Sequence, residues 1–341
     1  MKLREVYTMT LLFSLILLFQ ACDWFGGNKE PERKTQFNFQ LDTLKEITGS
    51  FEDLHIFDDT SFVIVGKFHD NNRSPITSFN QIWWGKKRGV YYKSVLTQSL
   101  FELVEGNLRF FNGTHLNHVY GGTNAYSTFK NGTYSYYLVS RDIENPLIFT
   151  GSTFINENDF YLYGKKGVLG LHKNGVFHRI ETNTDLDFTK AVWHGDSLLL
   201  YGIQFYDTFK SEQAGLIVVK DTLATSIDRW GYEQENKKPF YTRNVLWEYG
   251  KYYFFGQEAI YRYENNAFNS EDIFPMGYGD FETRDEGVFN YYGKLIYYLN
   301  SELYEQEIGT EPSTTYINHV AFKGNLMVAN TINRYIIIGT R

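Results

Sequence analysis

The chain has 341 residues with 33 Lys+Arg against 40 Asp+Glu, a formal charge of −7 and a single cysteine. One cysteine excludes an internal disulfide framework and a Cys-ligated zinc site, and dispersed acidic charge argues against a nucleic-acid partner. Aromatic residues make up 18% of the sequence, with 29 Gly and only 6 Pro. Aromatic side chains suit the pleated, half-buried surface of strands and glycine supplies turns, so the composition points to an all-β protein.

In chain order, Lys2 and Arg4 precede a charge-free stretch from Val6 to Ala21, followed directly by the single cysteine, Cys22. That stretch falls short of the roughly twenty apolar residues needed to span a bilayer and fits the apolar region of a secretory signal. Phe19-Gln20-Ala21-Cys22 resembles the relaxed lipobox of bacterial lipoprotein precursors, with Ala21 as the small residue before the cleavage point. The resemblance implies cleavage before Cys22 and lipidation of its thiol. It also implies a membrane anchor in the cell envelope, on the periplasmic or the cell-surface side; the alternative is an ordinary secreted chain with a free Cys22. Asp23 to Lys34 is polar and too poor in apolar groups to offset its ordering entropy, so it reads as a flexible tether. The expected organisation is a signal peptide over 1–21, a tether over 22–36 and one folded body over 37–341.

The body repeats. A short strand, a tight turn and a second strand ending near glycine recur. The turns fall at Asp58-Asp59, Gly195-Asp196, Tyr249-Gly250, Tyr292-Gly293 and Gly324-Asn325, with looser copies at Glu105-Gly106-Asn107 and Asn156 to Asp159. These seven turns lie about 44 residues apart, the length of a four-stranded propeller blade. Second hairpins are signalled by Asn131-Gly132, Asn174-Gly175 and Asn265-Asn266, residues that tolerate the positive φ of a type I′ turn. The last unit lacks a fourth strand, while the alternating Phe37 to Leu44 lies ahead of the first unit. Pairing the two removes an exposed edge. The sequence therefore predicts an all-β, seven-bladed propeller closed by its N-terminal strand, with six or eight blades as alternatives because units two and six are degenerate.

Motifs that carry chemistry are sparse. No nucleophile elbow, phosphate loop or dinucleotide fingerprint occurs, and no cofactor or metal site is expected. The pair Trp83-Trp84 cannot form one stacking platform, since neighbouring strand residues point to opposite faces. Loop length is more informative. The connections b-to-c and d-to-a, with strands named a to d from the hub outward, emerge on one face, and the long segments fall there. They contain aromatic and Arg residues of the kind found at binding hot spots. The candidate binding face is Arg73, Trp230, Tyr232, Arg243, Tyr278, Asp280 and Arg284, the alternative being that such residues only pin loops to blades. The function expected is a lipid-anchored envelope propeller that binds a glycan or an envelope protein without catalysis. Two alternatives are a glycan-active enzyme using carboxylates such as Asp280, Glu282 or Asp285, and a scaffold subunit of an envelope complex.

Overall fold

Seven four-stranded antiparallel sheets follow one another along the chain. The computed structural model describes residues 35–43, 47–70, 77–84, 91–92, 109–114, 116–142, 144–204, 213–231, 238–239, 242, 244–256, 258–273, 279–308, 317–331 and 335–341. The inner strands of blades one to seven are Ile47–Asp58, Phe110–Gly113, Phe149–Phe154, Asp187–His194, Asn244–Glu248, Gly279–Thr283 and Ile317–Lys323. Each inner strand touches those of the two neighbouring blades, and that of blade seven touches that of blade one. The ring is closed, and the protein is a seven-bladed β-propeller.

Closure uses the N-terminal strand, as the alternation over Phe37 to Leu44 predicts. Asn38–Thr43 pairs antiparallel with Tyr335–Thr340, in register from Asn38 opposite Thr340 to Thr43 opposite Tyr335. It becomes the outer strand of blade seven, whose other three strands come from the far end of the chain. The compact unit begins at Gln36, whose side-chain amide donates to the Glu305 carbonyl at 3.0 Å.

The core is divided among the seams between blades. Seven clusters of buried apolar side chains occur among the described residues, each joining two neighbouring sheets. Between blades three and four, for example, Tyr161, Leu169 and Leu171 pack on Phe188, Leu198 and Leu200. This arrangement explains the aromatic composition. A seam between two twisted sheets is a wedge that widens outward, and large rings fill it with few side chains.

Turn chemistry follows expectation. Asn131 and Gly132 have φ of 48° and 85°, Asn174 and Gly175 53° and 77°, the double positive φ that makes a hairpin turn compatible with strand twist. Two units differ from the repeat read in the sequence. The first hairpin of blade two pairs Phe110–Gly113 with Asn117–Gly121, not strands flanking Glu105 to Asn107. In blade six Tyr292-Gly293 joins the second strand to the third, and the first turn is Arg284-Asp285. Hairpin turns of both kinds use the same residue types, so an inner turn lacking glycine goes unrecognised and its neighbour is taken in its place.

Candidate functional site

A feature repeated in the inner strands builds the site. Phe51, Phe110, Phe149 and Phe188 each stand opposite a glycine of the second strand: Gly66, Gly121, Gly164 and Gly202. In blades one, three and four a β-bulge follows the Phe, leaving Glu52, Thr150 and Thr189 as extra residues. The glycine is required by close approach. A Cβ on Gly66 would lie 2.0 Å from the Ser50 carbonyl oxygen, and one on Gly164 would lie 1.9 Å from that of Ile148. A bulge breaks the period of two, so consecutive residues turn to the same side. Glu52 with Asp53, Thr150 with Gly151, and Thr189 with Lys190 accordingly line one central cavity.

The cavity has a volume of about 620 Å³, within the range of small-molecule sites. Arg109 and Asn112 of blade two, Ser152 of blade three, Asp280 of blade six and His319 of blade seven complete its polar wall. Gly279 and Asp280 open the inner strand of blade six, and Arg109 precedes that of blade two. From that end, at which the b-to-c and d-to-a connections join the blades, the cavity runs along the inner strands as far as His55, Thr153 and Ala321.

Its two aspartates serve matching roles. Asp53 accepts from the Leu54 N–H at 2.9 Å and, across a seam, from the Phe111 N–H at 3.0 Å. Asp280 accepts from the Asn244 side-chain amide at 3.2 Å and, across the next seam, from the Phe322 N–H at 3.0 Å. Each ties its blade's inner strand to the following one. Burial pushes the Asp53 carboxyl up to about 6, against the lowering effect of its two backbone bonds and of Lys190. Asp280 is raised for the same first reason, with Lys190 and backbone N–H groups opposing. Burial also lowers the His55 imidazole to about 4, and the ring lies 2.9 Å from the Gly113 carbonyl through Nε2. A neutral ring donating that proton satisfies both observations.

Of the three candidate binding residues among the described residues, Trp230, Asp280 and Arg284, Asp280 alone lines this cavity. Trp230 is 2% exposed; its ring packs against Phe254 and Phe268 of blade five, and its Nε1 donates to the Pro239 carbonyl at 3.1 Å. It pins the connection that follows blade four and presents no face to a ligand. Arg284 is corrected to the opposite, short-turn face, in the first turn of blade six. There it pairs with Glu271 at 3.0 Å and lies 5.3 Å over the Tyr253 ring. Cys22, Arg73, Tyr232, Arg243 and Tyr278 lie outside the described residues. Of the carboxylates named for the enzyme alternative, Glu282 accepts the Gly324 N–H at 2.7 Å and Asp285 pairs with Arg284 at 3.5 Å. Neither reaches the cavity lining. The wall residues Asp53, Lys190, Asn112 and Ser152 are absent from the sequence reading. The signal for Asp53 and Lys190 is the recurring Phe-polar-polar (or Phe-Thr-Gly) triplet: Phe51-Glu52-Asp53, Phe149-Thr150-Gly151, Phe188-Thr189-Lys190.

No group of three or more His, Cys, Asp and Glu among the described residues is arranged to hold a metal ion. The rings that line the cavity, Phe110, Phe111 and Tyr163, are buried at 2%, 4% and 7% exposure. They give no open platform for stacking a sugar.

No protein-family model matches the chain, and no curated protein matches it. Solved structures do. The chain is similar to YCF48 bound to a D1 peptide, with a TM-score of 0.59 and 9% identity over 91% of this chain and 98% of that one. A chain of the mitotic checkpoint complex gives 0.59 at 11% identity, covering 93% and 95%. The WD40 propeller domain of Doa1 gives 0.54 at 11%, covering 89% and 97%. At such identities the likeness concerns the fold, a ring of blades over the whole length of each partner.

Proposed function

We propose that this chain is a non-catalytic binding propeller that is anchored in the cell envelope through lipidated Cys22 and takes a protein or peptide partner on the long-connection face, where the cavity lies. The observation that carries the binding reading is how the cavity carboxylates are used. Asp53 and Asp280 each commit both oxygens to neighbouring donors, the backbone of the following blade among them. A general acid or nucleophile is aimed at substrate; here both carboxylates are oriented by donors of the ring that they brace. A rigid ring presents its loops and cavity at little ordering cost. Support for a protein or peptide partner comes from structural neighbours, one bound to a D1 peptide and one within a multiprotein complex. Support for the anchor comes from Cys22 and the polar tether after it.

The glycan-active alternative has one observation in its favour, two channel carboxylates whose pKa burial raises. Both readings meet the same experiment. Full-length protein is purified from envelope fractions after in-cell cross-linking, in wild-type, Cys22→Ser and Tyr232→Ala/Tyr278→Ala forms. The binding reading expects a discrete cross-linked protein partner, lost in the loop variant, and loss of membrane association in Cys22→Ser. It is overturned if Asp53→Asn abolishes a glycan-hydrolysing activity of the wild type, or if no partner is captured.

A further inference from the structure

The chain enters the ring at the short-turn face. In blade seven the ladder sets Lys323 opposite Leu326, Leu326 opposite Thr340 and Thr340 opposite Asn38, so the closing strand starts level with the Gly324-Asn325 turn. Arg341 fixes that corner, its backbone N–H donating to the Asn325 carbonyl at 3.2 Å and its guanidinium to the Gly324 carbonyl at 2.8 Å. Across the ring, turns on the same face present apolar tips to solvent. Leu116 and Ile155 stand in the first turns of blades two and three, Val176 and Leu223 follow the last turns of blades three and four, and Tyr249 opens the first turn of blade five. Leu116, Leu223 and Tyr249 are 67%, 69% and 78% exposed. Three of the cations between these tips are paired on the same face: Lys130 with Glu157 at 3.7 Å, Lys220 with Asp196 at 2.5 Å and Lys251 with Glu264 at 3.9 Å.

We infer that the short-turn face lies against the lipid surface and touches it through Leu116, Ile155, Val176, Leu223 and Tyr249. The inference deepens the anchor reading above and rests on it. The segment from Cys22 to Gln36 spans at most about 50 Å, and it joins the ring at this face. Turning the ring over makes that segment run back along the six-residue outer strand of blade seven, about 20 Å, and leaves the apolar tips in water. Leu138, Ile273 and Tyr292 are exposed at the other end of the blades, where the closing strand does not enter. Contacts pass around the ring from blade to blade, so blade seven stands across from blades three and four. A tether at one rim alone lets the ring pivot; apolar tips on the far side hold the face flat. These tips come from separate turns of consecutive blades, which suits a flat apolar medium better than a single groove-filling partner. With nearby charges paired, no anionic headgroup is needed to match them. The long-connection face then points away from the bilayer, toward a partner.

The test is tyrosine footprinting on phosphatidylcholine vesicles, using the chain purified from envelope fractions and a water-soluble tyrosine reagent read by mass spectrometry. Tyr249 and Tyr292, 78% and 90% exposed on opposite faces, form an internal ratio, and Cys22→Ser chain without vesicles supplies its reference value. Anchoring is expected to lower the Tyr249-to-Tyr292 modification ratio at least fivefold. Leu116→Ser/Leu223→Ser changes two exposed side chains and should return the ratio to within about twofold of the reference at an unchanged melting temperature. The lipid-facing surface is overturned by a ratio unchanged on vesicles, by protection of Tyr292 instead, or by a fall that the double variant leaves in place. It is also overturned if Tyr249 protection grows with protein concentration in the vesicle-free reference, which marks a second copy as the occupant. An unmodified Cys22 overturns the anchor reading. The chain is then coupled through that thiol, its only one, to a maleimide lipid in the same vesicles, and the ratio decides the surface separately.

Discussion

The guanidinium of Arg341 lies 5.0 Å from the centre of the Phe37 ring, so the residue after the last strand packs on the residue before the first. Arg341 also covers the rings of Tyr297 and Phe322 at 4.8 and 5.8 Å and pairs with Glu286 at 2.5 Å, the two side chains 4% and 5% exposed. Tyr297 donates to the same carboxylate at 2.7 Å. The closing strand is thus held by its ladder and by a buried cation under an aromatic lid.

Removing Arg341 takes away the cation paired with Glu286, a carboxylate 4% exposed in an otherwise apolar seam. Breaking a buried pair from one side costs about 3–5 kcal/mol. Arg341→Ala is expected to lower unfolding free energy by that order in urea titration. Arg341→Met with Glu286→Leu should recover most of the loss, because the double change removes the stranded charge as well. An unchanged midpoint in the single variant would show that the latch lies in the backbone ladder alone.

Gly164 tests the bulge. A methyl group there meets the Ile148 carbonyl oxygen at 1.9 Å, and that oxygen already accepts from the N–H of Lys165 at 2.8 Å. Gly164→Ala must displace the bulged strand of blade three, an overpacking cost of about 1–3 kcal/mol or more. Gly175→Ala is the control. It has φ of 77° with nothing within 4 Å of the new atom, so only the left-handed backbone penalty of about 1 kcal/mol applies. Chemical denaturation should separate the two, with Gly164→Ala the lower.

These two elements show what the sequence discloses and what it conceals. Blade count, type I′ turns and the closing strand are legible because each rests on local chemistry: Asn and Gly at positive φ, alternation in Phe37 to Leu44, a missing fourth strand. The cavity wall is not legible by alternation, because a bulge places Thr189 and Lys190 on one side where a period of two assigns them to opposite faces. Asp280 is readable as a candidate, but as a loop residue, because the short inner strand Gly279–Thr283 holds only one buried apolar side chain, Phe281. Trp230 carries the opposite lesson. An aromatic side chain beside a long connection has the composition of a binding residue, and its burial depends on a seam formed with a later blade.

Trp230 can be tested as a pin. Trp230→Ala empties a site bounded by Tyr201, Phe254 and Phe268 and should cost about 3–5 kcal/mol. Trp230→Phe keeps most of the packing and loses the bond to the Pro239 carbonyl, about 1 kcal/mol. Melting temperatures are expected in the order wild type, Trp230→Phe, Trp230→Ala. A Trp230→Ala protein with wild-type stability and lost partner capture would return this residue to the binding face.

The channel predicts a compensation in pH dependence. Burial raises Asp53 from 3.8 to about 6, so between those values the folded state holds a proton that the unfolded chain has lost. That contribution is full below about pH 3.8 and disappears as pH rises through 6. His55 runs the other way. Burial lowers it from 6.5 to about 4, so its contribution is full above 6.5 and is lost as pH falls toward 4. Asp280 adds to the acid-favouring side, while Lys190 lowers both aspartates and, with Lys323, lowers His55. Each uncompensated proton tilts stability by up to about 1.4 kcal/mol per pH unit. Asp53→Asn removes one acid-favouring group, so stability should rise more steeply with pH from 4 to 6.5 than in wild type. Its lost acceptor adds a pH-independent offset of about 1 kcal/mol, which does not alter the slope. His55→Gln should tilt the profile in the opposite sense. Thermal melts of the three proteins across pH 4 to 7.5 decide it, and parallel curves would mean that neither group titrates differently in the folded ring.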